Sequence, residues 1–387
     1  MKQRKNESTP VPGSLIHMTG TLNRHDPSAA QQLKNHTEGT SFISGKFLIM
    51  ILLPAALFFS LPGVPLQSRA EAAELLWNTF MGGTSADESI AVIHDANGNI
   101  FIAGWSYNTW GQPVREWSGM TDAFVAKFNP DGVLQWNTFL GSSNMDKATD
   151  IAIDNSGNLY VTGYSNAGWG TPKRAHAGDS PKSDAFAAKL DASGNLLWNT
   201  FLGGADQDLG EALAVDPDGN IYVSGQSEQS WETPLTAHGN PYQDGFIAKL
   251  DSSGVLQWNT FIGAPSFSIC KAITVVSADK FYVAGETGST WGTPIASYSG
   301  NRDGFVAEFK TSGIRQWNTF FGSDEYETVY DMNADNSRIH VCGESDDSWE
   351  TPIYPHSGQY KTKKGVKSTF ASLHLNIIDN VKVQKIR

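Results

Sequence analysis

The sequence predicts an all-β repeat fold built from five modules, each a four-stranded antiparallel sheet. Three observations carry that expectation. The tetrapeptide Trp-Asn-Thr-Phe occurs five times, beginning at Trp77, Trp136, Trp198, Trp258 and Trp317, with gaps of 59, 62, 60 and 59 residues. Between the copies lie short runs rich in Val, Ile, Phe, Tyr, Trp and Thr, which suit a pleated and largely buried surface. No amphipathic helical period appears within the repeats. Self-similarity at a long fixed period means that each module buries its faces by stacking on its neighbours.

Each module reads in the same order. An apolar first strand comes at 89–94, 150–154, 212–216, 272–276 and 329–333. In three modules a tight turn follows, Asp-Ala-Asn-Gly-Asn from Asp95, Asp-Asn-Ser-Gly-Asn from Asp154 and Asp-Pro-Asp-Gly-Asn from Asp216, in which Gly98, Gly157 and Gly219 can take a positive φ. Second strands start at Ile100, Leu159, Ile221, Phe281 and Ile339. A loop of about 15–25 residues, long for a hairpin, leads to third strands from Asp122, Asp184, Asp244 and Asp303, with a worn fifth copy at 368–373. A second glycine turn (Gly132, Gly194, Gly254, Gly313) opens the fourth strand, which carries the tryptophan. Several segments are apolar on both faces, as sheets covered on either side require.

Radial repetition of such sheets is a five-bladed β-propeller, an arrangement that leaves only short, protected edges. The expected blades span about 88–141, 148–203, 211–263, 271–322 and 328–376 within a domain of 73–376, followed by a tail at 377–387. From residue 88 onward there are only four fourth strands, so residues 74–82, which contain Trp77, are expected to complete the fifth blade and close the ring. The competing closing strand is 381–387, which alternates weakly and lacks the tryptophan.

Residues 1–72 read as a leader. Residues 47–61 carry no charge and follow Lys46, and Ala70-Glu71-Ala72 fits a small-x-small cleavage site. Fifteen apolar residues interrupted by Pro54 are short for a membrane span and suit an export signal. The long segment ahead of them leaves two other readings, a later start such as Met18 or an uncleaved anchor. An extracytoplasmic location is expected either way. Residues 1–72 hold 7 basic and 4 acidic side chains, leaving 21 and 36 and a net charge of −15 for the remainder. That balance argues against a nucleic-acid partner, since the basic cluster at 361–367 is a local loop. Cys270 and Cys342 are expected as free thiols, and no Cys/His spacing suggests zinc.

The run Asp-Ala-Phe-Ala-Ala-Lys-Leu-Asp-Ala-Ser-Gly-Asn-Leu-Leu-Trp-Asn-Thr-Phe-Leu-Gly-Gly from Asp184 resembles the bacterial SBBP repeat, as does Ala-Leu-Ala-Val-Asp-Pro-Asp-Gly-Asn-Ile-Tyr-Val-Ser-Gly from Ala212. The resemblance extends over 74 to about 375 and implies an exported β-propeller. The family's name refers to seven blades and this chain supplies five; the family's Phe-Pro in the long loop is replaced by Trp-x-x-Pro.

That loop holds the first candidate site. Trp110, Trp169, Trp231, Trp291 and Trp349 each precede a proline by three residues, and seven residues after each comes Trp117, His176, His238, Tyr298 or His356. Aromatic faces stack on sugar rings, and His and Tyr edges bond hydroxyls, so five such pairs on one face would recognise a glycan. The plainer reading is that a tryptophan repeated in every module packs the module. The second candidate is acidic. Ten residues after each fourth-strand Trp stand Asp87, Asp146, Asp208, Ser268 and Glu327, which would bind Ca²⁺ at a channel mouth or, more simply, accept local backbone N–H groups. No catalytic motif is present; His176 with Asp179 is the one pair considered for hydrolysis, and no enzymatic activity or obligatory cofactor is expected. The expected function is carbohydrate binding, with a cell-envelope protein scaffold as the alternative and a polysaccharide-cleaving enzyme as the third reading.

Overall fold

The computed structural model describes residues 75–239, 241–263 and 265–349, and the backbone of 368–378 and 382–385. Within them the chain forms five four-stranded antiparallel sheets, each built from consecutive strands. The first holds β1 (Asp87–His94), β2 (Ile100–Ser106), β3 (Asp122–Phe128) and β4 (Leu134–Leu140). The second holds β5 (Asp146–Ile153), β6 (Leu159–Ser165), β7 (Asp184–Leu190) and β8 (Leu196–Leu202). In the third are β9 (Asp208–Val215), β10 (Ile221–Ser227), β11 (Asp244–Leu250) and β12 (Leu256–Ile262). The fourth comprises β13 (Ser268–Ser277), β14 (Lys280–Thr287), β15 (Asp303–Lys310) and β16 (Arg315–Phe321). The fifth comprises β17 (Glu327–Ala334), β18 (Arg338–Ser345), β19 (Ser368–Ile378) and β20 (Lys382–Lys385).

The turns form as their composition dictates. Gly98, Gly157 and Gly219 adopt φ of 77°, 80° and 80°. In the first of these turns one Asp95 oxygen accepts the N–H groups of Asn97 and Asn99, both at 2.9 Å, serving turn amides that have no partner in the ladder. Middle strands such as β6 and β7 are buried on both faces except at one position, because a neighbouring sheet lies on each side, and β2 and β3 show the same pattern with Trp77 and Met81 packed against the core of their sheet.

Two devices join one sheet to the next. The Trp-Asn-Thr-Phe indole reaches across to the following sheet's second glycine turn: Nε1 of Trp136, Trp198 and Trp258 donates to the carbonyls of Ala192, Ser252 and Thr311 at 3.2–3.3 Å. Gly194 is required there twice over, by a φ of 85° and because a Cβ would come within 2.9 Å of the Trp136 ring. Near the inner strands, the amide of Leu213 donates to Asp150 of the preceding sheet at 2.8 Å.

The long loops protect the sheet edges. Val114 N donates to Asn137 O at 2.8 Å and Phe139 N to Arg115 O at 3.1 Å, so the loop adds a short rung outside β4. Equivalent bonds pair Lys173 and Arg174 with β8, Leu235 and Thr236 with β12, and Ile295 and Ala296 with β16. An exposed fourth strand is a template for aggregation, and these loops occupy its free groups.

The fifth sheet departs from the expected closure. Residues 75–80 form no strand, and the fourth strand of that sheet is β20, paired to β19 only over residues 375–378. A hairpin of three linking residues forms more readily than contact between chain segments some 290 positions apart, whose loop entropy is larger. Trp77 nevertheless docks like its counterparts, with Nε1 donating to Pro130 O in the first sheet at 2.9 Å. The expected leader, with its apolar stretch at 47–61, lies outside the described residues. Among the described residues no helix is long and apolar enough to cross a membrane. Cys270, buried, and Cys342, half-buried, are both free.

Candidate functional site

The loop tryptophans are core residues. Trp110, Trp169, Trp231 and Trp291 are only 4–7% exposed. Each packs edge-on between a third-strand and a fourth-strand phenylalanine, Trp169 against Phe186 and Phe201 with centroids 5.4 and 5.9 Å away. The motif asparagine then anchors the loop, with Asn199 Nδ2 donating to the Trp169 carbonyl at 2.8 Å and Asn137, Asn259 and Asn318 repeating the bond in their own sheets. Arg115 and Arg174 lie over Trp169 and Trp231 of the following sheets. Trp349 also packs against the interior, on Phe321. A stacking platform for sugar needs an open face, which these rings do not present.

The second ring series is likewise turned inward. His176 Nε2 donates to the Ser165 carbonyl at 2.9 Å, His238 Nε2 to that of Ser227 at 3.0 Å, and Trp117 Nε1 to that of Ser106 at 3.4 Å. Tyr298 packs edge-on against Phe320. Their variation among Trp, His and Tyr reflects three ways of donating to, or covering, one strand end. His356 lies outside the described residues, and the backbone carbonyl of Asp179 accepts a turn bond from Lys182 N.

The acidic series caps loops. Asp87 accepts from Gly83 N at 2.9 Å, Asp146 from Ser142 N at 2.7 Å, Asp208 from Gly204 N at 2.7 Å and Glu327 from Ser323 N at 3.1 Å. A serine at the end of the second strand, Ser106, Ser165 or Ser345, donates to the other carboxylate oxygen of Asp87, Asp146 and Glu327. Behind several of these stands a second carboxylate at the start of the preceding third strand. A methyl group built on Gly141 would lie 2.7 Å from Asp146 Oδ2 and 3.0 Å from Asp122 Oδ1, so the two acids meet across that glycine. Burial pushes the Asp146 and Asp208 carboxyls up to about 7, and the charges of Asp122 and Asp184 add to the shift. Among the described residues no three of His, Cys, Asp and Glu converge as metal ligands.

The candidate site lies where the repeats disagree. A cavity of about 770 Å³ is lined by Asp206, Glu228, Tyr242, Phe267, Glu286 and Arg302 among others, at the loop ends of the third and fourth sheets. Glu286, which is 4% exposed, occupies the penultimate position of its second strand, where the other sheets carry Trp105, Tyr164, Gln226 and Glu344. Arg302 precedes its third strand, where Thr121, Ser183, Gln243 and Lys367 stand elsewhere. Its guanidinium carbon is held 5.2 Å from the Phe267 ring and 5.7 Å from that of Tyr326. Tyr242 is 63% exposed at the rim. Lys182 Nζ bridges Asp206 and Glu228 at 3.5 and 3.1 Å. Sequence reasoning passed over these residues because it sought recurrence; the available signal was divergence at the ends of otherwise matching strands.

The five consecutive four-stranded sheets define an all-β repeat protein whose repeat is of the β-propeller kind. Residues 135–168 match the family model described as Beta-propeller repeat, SBBP. That match starts in the fourth strand of the first sheet and ends beyond the second strand of the next, so the sequence repeat is offset from the sheet. The chain is 24% identical over 234 residues to an uncharacterized WD repeat-containing protein of Acanthamoeba polyphaga mimivirus, a stretch covering 50% of this chain and 17% of the relative. It is 28% identical over 170 residues to the regulatory protein FlaEY of Caulobacter vibrioides, covering 41% and 18%. It therefore spans less than a fifth of either relative. Among solved structures it is similar to hydrazine synthase of Kuenenia stuttgartiensis (12% identity, TM-score 0.43, 77% of this chain and 66% of that one). Another is an exo-1,5-alpha-L-arabinanase from a bovine ruminal metagenomic library (8% identity, TM-score 0.36, 78% and 97%).

Proposed function

We propose that this chain is an exported carbohydrate-binding module whose five sheets close into a propeller and whose ligand occupies the cavity between the third and fourth sheets. The observation that carries the binding reading is that cavity, where the carboxylates of Asp206, Glu228 and Glu286, the Arg302 guanidinium and the Tyr242 and Phe267 rings converge. An exposed tyrosine face for stacking beside fixed carboxylates and amides for hydroxyl groups is the usual composition of a small polar-ligand site.

Closure by residues 75–81 is supported by Phe80, which is 95% exposed, whereas the equivalent Phe139, Phe201, Phe261 and Phe320 are at most 3% exposed. β19 also has no described partner along the outer edge of 369–374, the stretch that a fourth strand occupies in the other sheets. Export rests on the leader alone. Titration calorimetry against a panel of soluble oligosaccharides tests the function: binding is expected, and Tyr242→Ala should weaken it about tenfold. Absence of binding across the panel, or full binding by Tyr242→Ala and Phe267→Ala alike, would remove the reading.

One observation favours a second reading, a scaffold for a cell-envelope protein. The outer loops expose Val114, Leu235 and Ile295 at equivalent positions, an apolar rim that would suit a protein partner. Recovery of such a partner that is lost when all three become Ser would support it.

A further inference from the structure

Within the cavity, Glu286 is a buried carboxylate held only by long contacts. Its side chain is 5% exposed, yet among the described residues its carboxylate is approached by Arg302 Nη1 at 3.5 Å from each oxygen, the outer limit of a hydrogen bond. Charge-assisted bonds ordinarily close to about 2.7–2.9 Å. A carboxylate stripped of water and served this loosely carries an uncompensated desolvation cost. Arg302 does not relieve it, because the Phe267 and Tyr326 rings fix the guanidinium between them and its buried Nε lacks an acceptor.

Resting on the reading that a sugar occupies this cavity, we propose that the sugar is an amino-sugar oligomer with free protonated amines, and that one ammonium is seated between Glu286, Glu228 and the Tyr242 and Phe267 rings. An ammonium is compact and offers three donors, so it can approach Glu286 where the clamped guanidinium cannot. The ring faces add cation–π attraction. A uronate or other anionic sugar would instead meet three carboxylates, Asp206, Glu228 and Glu286, while the nearest cations are held in place, Arg302 beside the Phe267 and Tyr326 rings and Lys182 by Asp206 and Glu228. The net charge of −12 acts in the same direction, drawing cationic ligands toward the protein.

Titration calorimetry on the full chain separates the outcomes. Four probes are used: a fully deacetylated glucosamine oligomer, its N-acetylated counterpart, an oligogalacturonate and a lysine-rich peptide. The free-amine oligomer is expected to bind at least about tenfold tighter than the N-acetylated one. Glu286→Gln should abolish that preference by weakening binding of the free-amine oligomer about tenfold or more. Equal or tighter binding of the N-acetylated oligomer or the galacturonate would overturn the amine assignment and leave the carbohydrate reading standing. Tighter binding of the peptide would retain the amine chemistry and overturn the sugar, and no binding of any glycan would remove both. The comparison of ligands on the unaltered chain decides the matter even where Glu286→Gln fails to fold.

Discussion

Substituting Trp169 by Ala separates a packing role from a binding role for the loop tryptophans. The indole is 5% exposed, packed against Phe186 and Phe201 and covered by Arg115 of the preceding sheet. Burying such a ring removes roughly 150–250 Å² from water, about 4–6 kcal/mol at 25 cal/mol/Å². Alanine retains a small part of that contact. Its buried Nε1 has no acceptor, so losing the indole also relieves about 1 kcal/mol of polar burial. The net cost should fall near 3–5 kcal/mol, the usual range for such truncations. Urea unfolding followed by the fluorescence of the remaining tryptophans measures it, and titration of the still-folded fraction measures ligand affinity. Unchanged affinity with a lowered unfolding midpoint is the expected result. Wild-type stability combined with lost glycan binding would refute the assignment of this ring to the core.

Asn199→Ala should cost about 1–3 kcal/mol, because it strands the buried Trp169 carbonyl that Asn199 Nδ2 now serves; the same unfolding assay checks it. Stability should also fall as pH rises from about 4 to above 7. Asp146 and Asp208, with folded pKa values raised to about 7 from 3.8, bind protons in the folded state that the unfolded chain has already released. By linkage each contributes up to about 4 kcal/mol of that loss, and Asp146→Asn should flatten its share of the slope. Unfolding midpoints that hold constant or climb between pH 5 and 8 would contradict the paired-acid geometry. Phe80→Ser should lower the unfolding midpoint by the equivalent of about 2 kcal/mol or more if residues 75–81 enter the fifth sheet, and leave it unchanged if Phe80 stays in water.

The sequence was most legible where one physical need recurs. Trp-Asn-Thr-Phe spacing gave the five sheets, and glycine after a short polar run gave the turns, because φ near 80° excludes most side chains. The same recurrence was ambiguous for Trp110, Trp169, Trp231 and Trp291: a repeated aromatic residue reads alike whether it packs a module or faces a ligand. The burial of the rings resolves it, and the loop is held in that place by the bond from the motif asparagine to the Trp carbonyl, which spans 27–30 residues of chain. The strand that the structure adds to the fifth sheet, 382–385, ranked second in the sequence reading because it lacks the tryptophan on which the alignment depended. Local hairpin formation does not need that residue.

A repeat protein gains stability from what its modules share and specificity from what they do not. Ligands with a handle at one end need an asymmetric receptor, and loops identical in every module cannot supply one. In this chain the invariant positions are consumed by structure: tryptophan to the core, asparagine to the loop, aspartate to the turn. What is left to differ lies at strand ends, where a side chain can change without disturbing a ladder bond. Glu286 and Arg302 are such substitutions, and the loop ahead of β11 that carries Tyr242 differs in sequence from its counterparts. Glu286 is tolerated at 4% exposure because its backbone partners, Ile269 and Gly304, pair normally on both sides of β14. The sheet bears the cost of an under-served carboxylate that packing alone would not select. Replacing Glu286 with Gln should therefore leave the unfolding midpoint level or raise it, and a large loss of stability would mean that the carboxylate serves the fold rather than a ligand.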